Sequence, residues 1–532
     1  MPILDYFPRP DPRPKQVRAL EYIEKVVAMG YRDVVIAAPT GVGKSLIGAA
    51  VCGWATSTSL VGGQGGYALV FQKALQDQIA AELERLPQTL SAAMIKSAIE
   101  YKCPTHRACS VGRQRGRCQL CKTGGCTYKL AKGKFLNATY AVTNYAYFFT
   151  ERAHIAELVP RQALVLDEAH NLDRTITRFV QIEINQDALV DYAPSLGRQD
   201  LGRFKTRHEF VTWVMEDYLP AVKEQAEILA ALGDGADDAA IKLAFDVEQH
   251  HLKVANAIAQ YNANPDGWVY WKTQESGSPT VLTLRPLTAA PYFGEMVQKA
   301  GDLRVYMSAY PGAKSTFCHE LGLDPKKVAW LSLSSNFEPA RRPIVMVPIG
   351  SLSKTNIEDN LPRACRMTKK ILDRHADRGV IHTNSYAIAD QVYDFLAHTE
   401  HCARLIYPRE ADQREGAMLE HQQTEGAVLI SPSVGEGFDF KDDRARWQII
   451  VKCPWPSLGD KQVATKAEMD PTWYKIEAFK SLLQIAGRIC RSETDFGETF
   501  VLDDDVSRLL RDVAPFVPGW FSDAIVYPDS SS

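Results

Sequence analysis

The chain has 532 residues, 45% hydrophobic and 23% charged, with a formal net charge of −3. That length exceeds one compact domain and calls for three or four folding units. The near-neutral balance excludes nucleic-acid binding through bulk charge alone, and no apolar run approaches the ~18 residues needed to cross a bilayer.

The first segment, Met1 to Gln16, is Pro-rich and polar and lacks the basic start and apolar stretch of a secretion leader, so a cytoplasmic location is expected. Asp33 to Ala38 (DVVIAA) then reads as a buried strand, Pro39 to Gly43 as a Gly-bearing turn, and Lys44 to Cys52 as an apolar helix. The turn completes APTGVGKS, Ala38 to Ser45. Between a strand and a helix, glycines let backbone N–H groups face phosphate oxygens at a helix N-terminus. The residues expected to cradle a nucleotide are Pro39, Thr40, Gly41, Val42, Gly43, Lys44 and Ser45, with Lys44 reaching the β and γ phosphates and the Ser45 hydroxyl on magnesium. The alternative is an ordinary Gly turn with a surface lysine; the flanking strand and helix weigh against it.

Tyr67 to Phe71 reads as the next strand, after a flexible GGQGG connection. Between Lys96 and Lys134 there are ten Lys or Arg against a single acid, Glu100, a local charge of +9 in a chain of negative total. A phosphate backbone could be gripped there. The same segment holds Cys103, Cys109, Cys118, Cys121 and Cys126, five of the eleven cysteines. In a reducing compartment, thiols clustered in so polar a segment point to metal ligands rather than disulfides or core.

Ala163 to Leu166 reads as a strand ending in DEAH. Asp167 is placed to hold magnesium and Glu168 to orient or deprotonate an attacking water; a solvated helix cap is the competing reading of the pair. His170 either couples hydrolysis to movement or merely packs. Lys44 and Asp167 are 123 residues apart, far more than a plain nucleotide-binding core needs, so a segment is inserted between them. From about Ile176 to Gln260 the texture is helical, consistent with an inserted helical domain. Strand-like runs return at Val281–Leu284, Arg304–Met307, Ile344–Pro348, Val380–Thr383, Ala427–Ser431 and Gln448–Lys452, whose alternation with helices predicts two doubly wound α/β sheets. In SVGEGFDF, Ser433 to Phe440, Gly437 permits close backbone approach and Asp439 can hold a ribose, a metal or an arginine. QIAGRICR, Gln484 to Arg491, sets Gln484, Arg488 and Arg491 at helical spacings, an arrangement able to neutralise a transferring γ-phosphoryl from across an interface.

In this order the motifs resemble superfamily 2 helicases, and the cysteine insertion narrows the resemblance to the DinG/XPD group of iron–sulfur DNA helicases. RPKQ, Arg13 to Gln16, looks like the adenine-reading Q motif, which makes Gln16 a nucleotide contact; Lys73 to Gln78 sits where motif Ia touches DNA, MSAY at Met307 to Tyr310 stands as motif III, Ile381 to Tyr386 as motif IV, and TNY, Thr143 to Tyr145, precedes motif II. The resemblance implies two RecA-like domains with hydrolysis of ATP between them, a cluster domain and a helical Arch domain inserted in the first, and 5′-to-3′ translocation on single-stranded DNA, with 5′-tailed or forked duplex as partner. The boundaries it implies are 1–95, 139–175 and 281–340 for the first RecA-like domain, 96–138 for the cluster domain, 176–280 for the Arch and 341–532 for the second RecA-like domain. Motif III departs from the usual SAT at Tyr310, which puts the coupling of hydrolysis to movement in doubt and keeps an ATP-gated clamp without strand separation as an alternative; DEAH keeps an RNA helicase as another. No nuclease is expected.

The family's cluster begins Tyr-x-Cys and ends Cys-x-Tyr, matched by Tyr101 to Cys103 and Cys126 to Tyr128, with Cys118 and Cys121 as the middle ligands and Cys109 as a substitute for Cys118. Thiolates at these spacings suit a [4Fe-4S] cluster or tetrahedral zinc, and only the resemblance favours iron–sulfur. Tyr145, Tyr147 and Phe148 are aromatic groups on which bases could stack, against the alternative that they are core.

Overall fold

The structure is a computed structural model that describes residues 1–57, 65–71, 90–101, 125–155, 158–232, 238–273, 279–410, 412–431, 440, 442–490 and 494–528. Strand Asp33–Ala37 is buried along its whole length and sits inside a seven-stranded parallel sheet. The order across that sheet is Val328–Ser332, Asp33–Ala37, Gly301–Ser308, Arg161–Leu166, Gly66–Val70, Tyr140–Asn144 and Ala92–Met94. Alternation of side chains sends Val34 and Ile36 to one face, under helices Pro14–Ala28 and Lys44–Ala55, and Val35 to the other, so both faces are covered as a parallel sheet requires. A buried pair staples the start of the central strand to its neighbour: Arg304 donates from Nε and Nη2 to the two oxygens of Asp33, at 2.6 and 2.9 Å.

A second seven-stranded parallel sheet is ordered Leu405–Ile406, Val428–Ser431, Gly379–His382, Trp447–Ile450, Glu498–Val501, Ile344–Met346 and Ile525–Val526. Two parallel α/β sheets are therefore present, as the strand and helix alternation predicted. Helices fill most of the 186–263 stretch, the longest being Asp238–Ala263.

One predicted strand is differently employed. Val281–Pro286 lies in neither large sheet; it pairs antiparallel with Ile182–Ile184 and with Trp268–Thr273 in a third, three-stranded sheet. The helical insertion is thus closed by its own small sheet, whose strands bracket it in sequence and return the chain to the first lobe. Apolar runs report burial and not the direction of the partner strand. Among the described residues no helix is long and apolar enough to cross a membrane.

Candidate functional site: a nucleotide pocket between two lobes

The phosphate loop leaves the central strand at Ala37 and enters helix Lys44–Ala55 through two left-handed glycines, Gly41 (φ 83°) and Gly43 (φ 87°). A side chain at either position would also press on a neighbour. A Cβ on Gly41 would stand 2.2 Å from the Phe337 ring, and one on Gly43 would stand 2.4 Å from the Gln16 amide nitrogen. The loop is held from the Q-motif side: Arg13 Nη1 donates to the Gly41 carbonyl (2.7 Å) and Gln16 Nε2 to the Gly43 carbonyl (3.3 Å), while the Arg13 backbone N–H donates to Gln16 Oε1 (2.9 Å). Gln16, expected to contact the nucleotide, thus touches the phosphate loop itself. Pro39, Thr40, Val42 and Ser45 lie in the same turn and its helix start.

Strand Arg161–Leu166 delivers Asp167 and Glu168 opposite the loop. Lys44 Nζ lies 3.3 Å from Glu168 Oε1 and 3.9 Å from Asp167 Oδ1. Burial pushes the Asp167 carboxyl up to about 6, the charge of Lys44 opposes the rise, and neighbouring Glu168 adds to it. Its Oδ1 is buried and accepts no hydrogen bond among the described residues. A buried carboxylate oxygen without a donor, beside a lysine and a helix N-terminus, is a donor set that fits a divalent cation carrying phosphates. Glu168 adopts a left-handed backbone (φ 48°), rare for a side chain-bearing residue, which turns its carboxylate toward Lys44 on one side and His170 Nδ1 (3.3 Å) on the other.

His170 joins the lobes. Its Nδ1 lies 2.9 Å from Ser308 Oγ, on the adjacent strand of the first sheet, and its Nε2 meets the side-chain amide of Gln484, in helix Pro471–Ala486 of the second lobe. Burial holds the imidazole neutral, lowering its pKa to about 4. The neutral ring thus donates from Nδ1 and accepts at Nε2 from the Gln484 amide. Ser308 Oγ in turn accepts from the Tyr310 backbone N–H (3.2 Å). Of the two readings of His170, the geometry gives a bridge between lobes and not an isolated packed ring.

Where helix Pro471–Ala486 ends, Gly487 faces the phosphate loop, and a Cβ there would come within 3.9 Å of Thr40 Oγ1. Arg488 follows, buried in the second lobe, where its charge adds to burial in lowering the pKa of His382 to about 3. Arg491, Gly437 and Asp439 lie outside the described residues. Lys44, Asp167, Glu168 and Gln484 are thus brought together around one cleft.

Of the cysteines expected to hold a metal, Cys103, Cys109, Cys118 and Cys121 lie outside the described residues. Cys126 is buried at the N-cap of helix Thr127–Asn137, where its Sγ accepts from the Lys129 backbone N–H (3.5 Å). The rings of Tyr101 and Tyr128 pack edge to face at 5.5 Å, so the two ends of the cysteine segment stand side by side. Adjoining segment ends with a cysteine at one foot fit a cysteine-ligated metal group.

Of the two readings of Tyr145, Tyr147 and Phe148, the structure gives the core. Tyr145, Tyr147 and Phe148 are 2%, 8% and 0% exposed and belong to the main core, so no base can stack on them here. Residues that sequence reasoning missed include Arg13 and Phe337 at the loop, and a charge cluster where the second lobe meets the first: Lys466 pairs with Asp173 (3.1 Å) and with Glu320. Beside it Arg285 donates to Asp460 (2.8 Å), and Gln462 donates to the Pro286 carbonyl (2.7 Å). Arg13, inside RPKQ, and Ser308, inside MSAY, lay within strings that the sequence singled out.

Comparison with known proteins places this geometry. Residues 9–191 match the model of the type III restriction enzyme res subunit, and residues 368–523 that of the helicase C-terminal domain. A Fanconi anemia group J protein homolog of Gallus gallus is 29% identical over 150 residues, 25% of this chain and 12% of that protein. A regulator of telomere elongation helicase 1 homolog of Caenorhabditis briggsae is 28% identical over 150 residues, 24% of this chain and 15% of that protein. The matched stretches thus span well under a fifth of either relative. An XPD helicase structure superimposes with a TM-score of 0.60 at 15% identity, covering 96% of this chain and 99% of that one; Xpd4 of S. tokodaii does so at 0.57 and 12%, covering 97% and 100%. The first lobe thus matches the restriction-enzyme res subunit, the second matches the helicase C-terminal domain, and the whole shares the fold of the XPD helicase structures.

Proposed function

We propose that the chain is an ATP-dependent DNA helicase that hydrolyses ATP in the cleft between its two lobes and moves 5′ to 3′ on single-stranded DNA. The observation that carries the reading is the bridge from Glu168 through His170 to Gln484, which ties the hydrolytic carboxylates of one lobe to a helix of the other. In this reading Lys44 and the loop amides hold the β and γ phosphates, Ser45 and Asp167 hold magnesium, and Glu168 orients the attacking water. Arg488 and Arg491 neutralise charge on the transferring phosphoryl group, and Gln16, Gly437 and Asp439 contact the nucleotide. Closing and opening of the lobes would then be felt through His170, converting hydrolysis into steps.

Residues 96–138 and the helical insertion that begins near 176 and runs to its closing strand at Pro286 are read as the cluster and Arch domains. Cys103, Cys118, Cys121 and Cys126 would hold a [4Fe-4S] cluster, with Cys109 as a substitute for Cys118; the metal folds a basic segment that has too few apolar residues for a core. Strand separation on a 5′-tailed duplex is the test. Displacement that requires ATP and magnesium, with hydrolysis stimulated by single-stranded DNA over RNA, supports the reading.

A second reading, an ATP-gated clamp that does not separate strands, draws on Tyr310. Its ring is buried in the second lobe against Phe479 (5.2 Å, edge to face), and its hydroxyl has no hydrogen-bond partner among the described residues. DNA-stimulated hydrolysis with no displaced strand would favour the clamp.

A further inference from the structure

The helix Tyr145–Thr150 stands between the foot of the cysteine segment and the catalytic carboxylates, and it makes a polar contact at each end. Tyr145 OH donates to the main-chain carbonyl of Asp167 at 2.8 Å, across 22 residues of sequence. That carbonyl begins the peptide that leads into the left-handed Glu168. The Asp167 backbone N–H is held by the Leu69 carbonyl (2.9 Å), and the Glu168 carbonyl accepts from Asn171 N–H (3.0 Å). With the Tyr145 hydroxyl in place, the turn is held on both sides of its strained residue. A residue in this conformation keeps it only where its surroundings over-determine it.

At the helix's other face, Tyr147 OH lies 3.0 Å from Tyr128 OH, and Glu151 accepts from Lys132 Nζ at 2.7 Å. Tyr128 and Lys132 sit on helix Thr127–Asn137, whose N-cap is Cys126 and whose last carbonyls are held by Arg161, at 2.6 Å for Leu136. One short helix therefore touches the segment that carries the thiolates and the turn that carries Glu168.

We propose that Tyr145 is a positioning residue for hydrolysis: its hydroxyl sets the Asp167–Glu168 peptide, and the buried Lys132–Glu151 pair beyond the end of its helix anchors that helix independently of the Tyr147 hydroxyl. Tyr145 touches neither nucleotide nor metal; it acts through the backbone. The inference rests on the reading of the cleft as an ATPase.

The test compares two variants that each remove one buried hydroxyl from this helix and keep the ring, Tyr145→Phe and Tyr147→Phe, in the full chain. Tyr145→Phe is expected to lower kcat for ATP about threefold to tenfold, the scale of one hydrogen bond, with KM for ATP nearly unchanged. Tyr147→Phe is expected to leave basal kcat unchanged. Without nucleotide, hydrogen exchange at the amides of Ala169 to Asn171 should quicken in Tyr145→Phe and stay at the wild-type rate in Tyr147→Phe. Equal losses of kcat in both variants would mean general loosening of the helix and overturn the proposal, as would wild-type exchange rates in Tyr145→Phe. Exchange is read without ATP, so a wild-type protein that hydrolyses nothing would refute the ATPase reading while leaving this measurement to judge the hold of Tyr145 on the turn.

Discussion

Replacing Lys466 by methionine isolates the contact between the lobes. The lysine ammonium is buried, its side chain 8% exposed, between Asp173 and Glu320, themselves 18% and 11% exposed. Asp173 lies in the first turn of helix Leu172–Val180, directly after the DEAH residues, and also accepts from the Ala289 backbone N–H (2.7 Å). Methionine keeps most of the volume and removes the only cation of the three. Removing one partner of a buried pair costs about 3–5 kcal/mol because a charge is left without compensation. In a lobe of this size that corresponds to about 6–20 °C in apparent unfolding temperature.

The loss should depend on pH with a defined sign. Burial, and then the charge of Asp173, raise the Glu320 carboxyl well above its ordinary value, and Lys466 opposes them. A carboxyl whose folded pKa is raised favours folding while it is protonated, at low pH, and loses that contribution as pH rises through the folded pKa. Without Lys466 the rise grows, so the gap between variant and wild type is widest in alkaline buffer and narrows on acidification. Thermal unfolding at several pH values measures it, and the triple variant Asp173→Asn, Glu320→Gln, Lys466→Met should recover most of the stability. A shift under about 2 °C, or one equal at every pH, would refute the account of a buried charge cluster.

Lys44→Ala should abolish ATP hydrolysis and weaken nucleotide binding, whereas Glu168→Gln should lower kcat at least about 100-fold and leave nucleotide affinity near wild type, as read by steady-state hydrolysis and equilibrium titration. Gly41→Ala should abolish nucleotide binding, because its Cβ would meet the Phe337 ring and its left-handed φ is strained; Phe337→Ala in the same chain relieves the clash but not the strain, so binding measured by titration should return only in part. Cys126→Ser should lower the iron or zinc content of anaerobically purified protein, measured by metal analysis, while its hydroxyl keeps the N-cap of helix Thr127–Asn137.

The chemistry-bearing strings were legible because each is local. APTGVGKS and DEAH each place their residues within one loop or strand end, and spacing alone says which can face a shared ligand; of QIAGRICR, Gln484 meets His170, Arg488 is buried in the second lobe and Arg491 lies outside the described residues. The two parallel sheets were legible from buried apolar runs bounded by turns. Edge strands such as Ala92–Met94, Leu405–Ile406 and Ile525–Val526 are too short to show a period. Val281–Pro286 went to the wrong sheet because a β run does not name its partner. Tyr145, Tyr147 and Phe148 carry no mark that separates a stacking surface from a core, and the fold decided for the core. Lys466 and Asp173 meet across 293 residues, a distance over which one sequence holds no pattern.

The central strand Asp33–Ala37 lies between Gly301–Ser308 and Val328–Ser332, so both of its hydrogen-bonding edges are supplied from the far side of the two insertions. On the ribosome, the segment that bears the phosphate loop must wait for roughly 300 further residues, about 15–60 s at ordinary elongation rates. For that interval an apolar strand lacks both of its sheet neighbours, so early synthesis is a stage at which chaperone binding is expected.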